Sequence, residues 1–403
     1  MKISKILRGD RTIWVLFLLL SIFSLVEVYS SIGLLAYSSY GGGQPTRLFL
    51  KHLLIVLASW VVVIITSRIN YRYFSRFALL GYWFSLVLLG VMLMLGGRWM
   101  SLPVINQFQP SEVAKVVLVL FVARYLALNK DKAEDLGTFL VLLIIIGAVV
   151  VLVLPENFST AALIGLSCFI MMFFGGVKRQ WWWRMFIVAV VAVVVGLTIT
   201  YKNYEHSLHN EDAAPREQLL SRSSTWGHRV YTWINPVDTV LTQENMAKMA
   251  VARGGVIGKG PGSTVHARLM TQAHNDFIYA IIIEETGMVG GLVVFLLYSF
   301  LFFQCMRISW RCKGRFGALA VAGMGTVIYL QAMANMCVAV GVLPVTGQTL
   351  PFISYGGTAY ILLCFGLGVI QSVAADVSRE GKPVDENPEL AADEVAKIST
   401  EKQ

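Results

Sequence analysis

Residues 137–154 read Gly-Thr-Phe-Leu-Val-Leu-Leu-Ile-Ile-Ile-Gly-Ala-Val-Val-Val-Leu-Val-Leu, a run without a single charged side chain. A helix that crosses the hydrocarbon core of a bilayer needs about 20 mostly apolar residues, so this run is typical of a membrane span. Similar runs recur along the whole chain, which is 56% hydrophobic and only 14% charged. A soluble surface needs far more charge. The sequence therefore predicts a polytopic membrane protein.

Ten such runs are long enough to be spans. They must be helices, because lipid offers backbone groups no other partner and the runs lack the alternation of barrel strands. The fold class is therefore all-α, with a membrane domain at residues 1–375. The first span is interpreted as an uncleaved anchor, since it is too long for a signal peptide. The predicted spans are 13–36, 50–67, 77–96, 111–128, 137–154, 158–176, 185–201, 277–304, 317–340 and 355–375.

Basic residues give the orientation. The N-terminal segment and alternate loops carry sixteen Lys and Arg, whereas the short loops on the other side carry only Arg47 and Arg98. This asymmetry predicts that both termini are cytoplasmic. The long loop 202–276 would then face outward. The segment 376–403, with eight acids against four bases, is predicted to be a disordered acidic cytoplasmic tail.

Composition also excludes several classes of site. The basic residues lie in short runs between apolar blocks, which argues against a nucleic-acid partner. The five cysteines form no Cys-x-x-Cys pair, so neither a disulfide framework nor a zinc site is expected. His206 and His209 have no evident third ligand, and a solvated loop is the expected setting. No protein metal site is predicted.

Charged residues inside predicted spans are functional candidates, because charge in a bilayer is costly. Glu112 and Lys115 open the fourth span, three residues apart on one helical face. One interpretation is a local ion pair that closes a helix end. The other is that Lys115 faces an anionic ligand or Asp276, which opens the eighth span at a similar depth.

Three further acids lie deeper in the predicted spans, and a structural role is expected for each. For Glu284 and Glu285 we expect helix-packing hydrogen bonds with one acid protonated, since adjacent residues point about 100° apart. Glu27, in the first span, receives the same interpretation. These acids are the exceptions to a pattern in which polar groups concentrate near the outer surface.

Two glycine-rich stretches stand out. Residues 254–262, Gly-Gly-Val-Ile-Gly-Lys-Gly-Pro-Gly, fail the phosphate-loop template, because no Ser or Thr follows Lys259. Their amides and Lys259 would either cradle a phosphate or form a tight turn. Residues 341–357 contain two prolines and four glycines but are only weakly polar. We expect this second stretch to fold back into the protein at membrane depth.

Four strings now resemble the SEDS family, whose members include FtsW, RodA and SpoVE. They are Phe108–Lys115 (FQPSEVAK), Gly254–Gly262 (GGVIGKGPG), His274–Gly291 (HNDFIYAIIIEETGMVGG) and Gly341–Gly357 (GVLPVTGQTLPFISYGG). They occur in the family's order, and the resemblance covers nearly the whole chain. The FQPSE form, the outer loop and the extended tail are more similar to FtsW than to RodA.

The resemblance implies a peptidoglycan glycosyltransferase that polymerises lipid II at the outer face of the bacterial cytoplasmic membrane, at the division septum for an FtsW-like member. It implies a class B penicillin-binding protein and other divisome membrane proteins as partners. The family's essential aspartate, in a His-Thr-Asp-Phe string, corresponds to Asp276. No covalently bound cofactor is expected, and a divalent cation, Mg²⁺ or Mn²⁺, with the pyrophosphate is left open. The chain departs from the family pattern at Arg268, Thr271 and Gln272, where acids or proline are common.

The predicted site therefore combines one catalytic residue with six that bind substrate. An inverting displacement needs a base for the acceptor hydroxyl and no protein nucleophile, and Asp276 is the candidate. The alternative is that Asp276 only caps the eighth helix. The predicted substrate-binding residues are Arg98, Glu112, Lys115, Lys259, His274 and Ser354.

Three other functions compete with septal polymerisation. A RodA-like polymerase for elongation shares all of these motifs. A lipid II flippase or transporter would need a polar route through the whole bilayer, whereas most polar groups here lie in the outer third. A division scaffold that recruits partners through its acidic tail would need no catalytic acid.

Overall fold

The computed structural model describes residues 7–35, 45–95, 108–209, 222–235, 242–266, 270 and 275–380, and over these residues the fold is all-helical. One short 3₁₀ helix, Lys130–Lys132, joins α4 to α5. The α-helices are α1 (Arg11–Leu35), α2 (Pro45–Arg68), α3 (Tyr71–Leu95), α4 (Pro110–Leu128), α5 (Leu136–Val153), α6 (Phe158–Phe174), α7 (Arg179–His209), α8 (Arg222–Ile234), α9 (Gln243–Gly254), α10 (Ile278–Arg311), α11 (Arg315–Ala339) and α12 (Thr358–Glu380).

Eight helices in the described part of the chain are long and apolar enough to cross a membrane: α1, α2, α3, α5, α7, α10, α11 and α12. Each of the ten predicted spans falls on one helix. The two predicted spans that do not meet these criteria lie on α4 and α6. Helix α4 carries three charged side chains in 19 residues, and α6 has only 17 residues. Length and composition alone therefore support eight spans.

The bundle is built around α11, most of which is buried. Helices α10, α4 and α6 pack against α11, while α12 packs against α2 and α3 against α4. Large apolar side chains also cover the outside: Leu80, Ile144 and Phe303 are each about two-thirds exposed or more. An apolar exterior around a partly polar interior is what a lipid solvent favours.

The boundaries of the predicted loop and tail shift in the structure. Helix α7 continues to His209, eight residues beyond the predicted end of its span, and the predicted loop 202–276 contains α8 and α9. Helix α12 continues to Glu380, so the first residues of the predicted tail are helical. Residues 381–403, which carry the predicted disorder, lie outside the described residues.

Helix α10 is broken at Gly287, which has φ 77° and ψ −176°. That conformation is essentially restricted to glycine. The 34 residues of α10 would measure about 51 Å if straight, well beyond a hydrocarbon core of about 30 Å. The part after the break, up to Arg311, is long enough to span by itself. The part before it, from Ile278, is enclosed by protein on all sides.

Candidate functional site

The segment between α11 and α12 folds back into the protein over residues 348–354, which confirms that part of the prediction, whereas Val342 and Leu343 are exposed. Its depth in the membrane stays a prediction. Gln348, Leu350, Phe352, Ile353 and Ser354 are all at least 96% buried. We call residues 341–357 the re-entrant segment. Its backbone is irregular, so its polar groups need partners from the surrounding helices.

Side chains from several helices supply those partners. Asn335 Nδ2 donates to the Gln348 carbonyl at 2.7 Å, and Gln331 Nε2 donates to the Thr349 carbonyl at 3.0 Å. From α1, Ser24 Oγ donates to the Ile353 carbonyl at 2.8 Å. Each of these polar groups lies in an apolar run of the sequence, and each is used to hold the re-entrant segment.

Asp276 lies directly before α10, where two of the same residues hold the backbone. Asn335 Nδ2 also donates to the Asp276 carbonyl at 2.9 Å, and Ser354 Oγ donates to the Asn275 carbonyl at 2.7 Å. The N-cap of α10 is Phe277, so Asp276 does not occupy the capping position. The re-entrant segment, α11 and the start of α10 therefore meet at Asp276.

Lys115 lies on α4, which packs against α11, and its side chain is fully buried. Its Nζ lies 2.7 Å from Glu112 Oε2 and donates to Gln331 Oε1 at 2.7 Å. The local ion pair is thus the interpretation that the structure supports. Lys115 forms no ion pair or hydrogen bond with its other predicted partner, Asp276, in the structure. Gln331, which binds Lys115, lies one turn from Asn335, which binds the Asp276 carbonyl. A charged Lys and a carboxylate that are both buried must be paired to be tolerated.

The glycine-rich stretch 254–262 completes the broken helix α10. In a continuous helix the amides of Met288 and Val289 would donate to the carbonyls of Glu284 and Glu285. Here these amides donate to the carbonyls of residues 255 and 256, at 2.9 and 3.3 Å. The two glutamate carbonyls accept instead from the amides of residues 259 and 260, at 3.1 and 2.8 Å. The break therefore leaves none of these four backbone groups unpaired.

This exchange also corrects the phosphate-cradle interpretation. The amides of Lys259 and Gly260 are used by α10 and cannot hold a phosphate at the same time. Glycine is required sterically, since a Cβ on Gly258 would lie 2.2 Å from the Glu285 carbonyl oxygen. The side chain of Lys259 is exposed, so its predicted contact with substrate remains a prediction.

Glu284 is buried and binds residues on both sides of the glycine-rich stretch, namely Arg253 and residues 264–266. Its carboxylate accepts from Arg253 at 2.7 Å, from Thr264 Oγ1 at 2.6 Å and from the Val265 amide at 3.2 Å, and it lies 2.9 Å from His266 Nδ1. The predicted helix-packing bond is confirmed only for Arg253, on α9. The other partners belong to the segment that follows.

Glu285 has different partners: Ser30 Oγ and the Gly262 amide donate to its carboxylate. Glu27, one turn earlier on α1, is 1% exposed and close enough to Glu285 to interact electrostatically. The bond from Ser30 joins α1 to the first part of α10, as expected for a packing role of Glu285. For Glu27 the packing hydrogen bond stays a prediction.

Helix α8 covers the re-entrant segment from outside. Arg229 and Trp233, one turn apart, donate to the carbonyls of Val345 and Gly341 at 3.1 and 3.3 Å. Glu244 of α9 lies near Arg229. Burial raises the pKa of Glu244, and the positive charges of Lys248 and Arg229 partly offset that shift.

An apolar cavity of about 640 Å³ opens between these elements. Helices α6, α7, α8 and α11 and the re-entrant segment line it, with Leu166, Leu197, Trp233 and Ala334 among its walls. Gln348 also lines the cavity and is bonded to Asn335, which binds the Asp276 backbone. The cavity thus approaches the predicted catalytic residue.

The other predicted site residues divide into two groups. Arg98 and His274 lie outside the described residues. The hydroxyl of Ser354 accepts from the Leu350 amide and donates to the Asn275 carbonyl, which supports the Asp276 segment. In the described part of the chain, no group of three or more His, Cys, Asp or Glu side chains could hold a metal ion.

Sequence reasoning overlooked Gln331, the positioning contacts of Asn335, and Arg253. Gln331 and Asn335 could have been noticed because each is a carboxamide in an otherwise apolar span, where a polar group needs a partner. Arg253 gave no comparable signal, because it lies in a polar outer segment whose path to Glu284 depends on the fold.

Comparisons with known proteins agree with this architecture. The family model described as "Cell cycle protein" for FtsW, RodA and SpoVE matches residues 10–379. A relative in Enterococcus hirae, a probable peptidoglycan glycosyltransferase FtsW, is 29% identical over 392 residues and covers 92% of this chain and 93% of its own. A Bacillus subtilis protein of the same description is 27% identical, with 87% of each chain covered.

Solved structures show the same fold. One, described as "Structural coordination of polymerization and crosslinking by a peptidoglycan synthase complex", has a TM-score of 0.68, 22% identity and covers 92% of this chain and 98% of its own. The rod shape determining protein RodA of Thermus thermophilus has a TM-score of 0.62, 20% identity and coverages of 91% and 97%. With a family model matched over nearly its whole length, the chain belongs to the FtsW/RodA/SpoVE family.

Proposed function

We propose that this protein is a peptidoglycan glycosyltransferase that polymerises lipid II at the outer face of the bacterial cytoplasmic membrane, in septal wall synthesis. The proposal is carried by the contacts around Asp276. Asn335 of α11 and Ser354 of the re-entrant segment bind the backbone at Asp276 and Asn275. Gln331, one turn from Asn335, binds Lys115. The names of the relatives, probable peptidoglycan glycosyltransferases FtsW, support the same activity.

The reaction follows from the chemistry of the substrate. A β-1,4 bond made from an α-linked pyrophosphate donor requires inversion at the anomeric carbon. The acceptor 4-hydroxyl oxygen attacks that carbon, the bond to the pyrophosphate breaks, and the leaving group departs with the electron pair. Asp276 takes the hydroxyl proton as the general base. Pyrophosphate needs charge neutralisation more than it needs a strong acid.

The topology is part of the proposal. We infer ten spans with both termini in the cytoplasm, in which α4 and α6 also cross the membrane. Lys115 and Glu112 on α4 are buried and paired, so these charges do not face lipid. In this orientation Asp276, Gly287 and the helices α8 and α9 all belong to the outer side.

The substrate has an apolar and an anionic part. The lipid chain would occupy the cavity of about 640 Å³, which is lined mainly by apolar side chains. The negative charges of the pyrophosphate would be neutralised by the predicted cations Arg98, Lys115 and Lys259. The other predicted substrate-binding residues are Glu112, His274 and Ser354. A divalent cation, Mg²⁺ or Mn²⁺, would take its ligands mainly from the pyrophosphate, as Mg²⁺ commonly does. No protein cluster for it is present among the described residues, and no step is assigned to it.

Partners and location follow by analogy with the family. The chain would work with a class B penicillin-binding protein and other divisome membrane proteins at the division septum. A structural neighbour described as a peptidoglycan synthase complex supports such a pairing. An elongation role remains the alternative that shares this site. A flippase is less favoured, because Lys115, Glu112 and Glu284 are engaged in fixed contacts rather than arranged along a path.

Polymerisation of lipid II by the purified protein, with and without a class B penicillin-binding protein, tests the proposal. We expect glycan chains on a gel, and Asp276→Asn should abolish them. A protein that moves lipid II across vesicles but makes no glycan under either condition would favour the transporter.

A further inference from the structure

Glu284 has an unusual environment for an acid in a membrane helix. Its side chain is fully buried, yet all four of its contacts come from outside α10. Two are positively charged or able to become so, Arg253 and His266. The other two are a hydroxyl and a backbone amide. The carboxylate therefore acts as a single anchor for two parts of the outer loop: the end of α9 and residues 264–266.

The same anchor supports the break in α10. Residues 254–262 exchange four backbone hydrogen bonds with α10 around Gly287. Arg253 immediately precedes this stretch and Thr264 follows it by two residues, and both bind Glu284. The stretch is therefore held at both ends by one carboxylate. Other contacts on the stretch are the Gly262 amide, which donates to the Glu285 carboxylate, and Arg253, which donates to the Ser263 carbonyl at 3.4 Å. Glu284 is the group that binds residues on both sides of it.

From these contacts we propose that Glu284 is a positioning residue for the proposed polymerase reaction. It lies on the protein-enclosed part of α10, Ile278–Thr286, and Asp276 lies two residues before the start of that part. Asn335 and Ser354 fix one end of that part. The Glu284 anchor and the Gly287 break fix the other. The orientation of Asp276 depends on both ends, because a rigid helical segment of nine residues transmits a tilt from one end to the other.

This inference rests on the proposed function, but its mechanical part can be tested separately. Glu284→Gln removes the negative charge and leaves one acceptor oxygen for four donors. Hydrogen exchange in the full-length protein should then rise at the amides of Lys259, Gly260 and Val265. Thr264→Val removes one contact at nearly constant shape and should give a smaller rise. Unchanged exchange in Glu284→Gln would overturn the anchoring role.

The effect of Glu284 on catalysis must be measured by a quantity that loss of stability alone would leave unchanged. We expect Glu284→Gln to lower kcat for lipid II by about tenfold, with KM within about twofold of the parent. In the Asp276→Asn background the same change should cause no further loss, because residues that act as one unit are non-additive. Equal losses in both backgrounds, or a kcat within twofold of the parent, would overturn the positioning role.

Asp10 offers a matched control at the opposite end of α10. Its carboxylate caps α1 through the Thr12 and Ile13 amides and accepts from Gln304 of α10 at 2.9 Å. Asp10→Ala should lower thermal stability but preserve kcat. A parent with no polymerase activity, or an Asp276→Asn variant that polymerises normally, would count against the proposed function, and hydrogen exchange would still decide whether Glu284 anchors the loop.

Discussion

Asn335 is the residue on which two parts of the site depend. Its Nδ2 donates to the carbonyls of Asp276 and Gln348, so one carboxamide joins the start of α10 to the re-entrant segment. The sequence marked Asp276 as an acid at the start of a span, and the family resemblance alone singled it out as the essential aspartate. It could not identify the contacts of Asn335, because its partners are backbone carbonyls 59 and 13 residues away.

Replacing Asn335 with Leu keeps the size but removes both donors. Each buried carbonyl left unpaired costs about 1–3 kcal/mol. We expect a lower melting temperature in detergent and at least a tenfold loss of lipid II polymerisation. Ser167→Ala, which removes a buried bond to the Leu163 carbonyl within α6, is the control and should retain activity. Activity of Asn335→Leu within twofold of the parent would contradict the positioning role.

The pair Lys115–Glu112 allows structural and catalytic roles to be separated. Lys115→Met alone leaves a buried carboxylate without its counter-charge, which should cost about 3–5 kcal/mol of unfolding free energy. Adding Glu112→Gln removes the stranded charge and should restore most of the stability. If Lys115 also serves the pyrophosphate, polymerisation stays low in the double variant. Recovery of both stability and activity would show that the pair is only structural.

At the scale of elements, the helices were predictable and the break in α10 was not. Lipid requires every backbone group to be paired, so long apolar runs can only be helices. The string Glu284–Gly291 also follows a helical pattern, and only the contact with residues 254–262 interrupts it. That contact was invisible in the sequence, because it pairs backbone groups rather than side chains. The only signs of this contact in the sequence were the glycines of residues 254–262 and Gly287.

Gly287→Ala tests the backbone pairing between α10 and residues 254–262. The new Cβ would lie 2.2 Å from the Val256 carbonyl oxygen, at a backbone conformation essentially restricted to glycine. The strain alone amounts to about 1–3 kcal/mol, and the clash adds to it. We expect a clear fall in melting temperature. Gly196→Ala, on α7 with nothing within 4 Å of the new Cβ, should be neutral or slightly stabilising. Equal melting temperatures for the two variants would refute a stabilising role for this backbone pairing.

At the scale of the whole molecule, α7 and α8 close one side of the cavity against the rest of the bundle. None of the described side chains of α7 in the span 179–203 is fully buried, so this wall is attached less tightly than α11. Composition predicted a helical chain with many membrane-spanning segments and an apolar exterior. It could not predict the cavity, which depends on where α8 lies over the re-entrant segment.

Filling the cavity should affect lipid binding selectively. Ala334→Phe places a ring in the space assigned to the lipid chain. We expect KM to rise several-fold for lipid II with its natural chain and to change little for a short-chain analogue. Ala189→Phe, on an exposed part of α7, provides the size-matched control. The same KM change for both chain lengths would contradict the assignment of the cavity.

The central claim is that Asp276 accepts the proton of the acceptor hydroxyl. Asp276→Asn preserves size and removes the base, while the Asn335 bond to the backbone carbonyl is retained. The decisive measurement is the initial rate of lipid II polymerisation by purified Asp276→Asn beside the parent, at matched folding and partner binding. We predict a loss of about 10²-fold or more. Polymerisation at close to the parent rate would contradict the catalytic assignment.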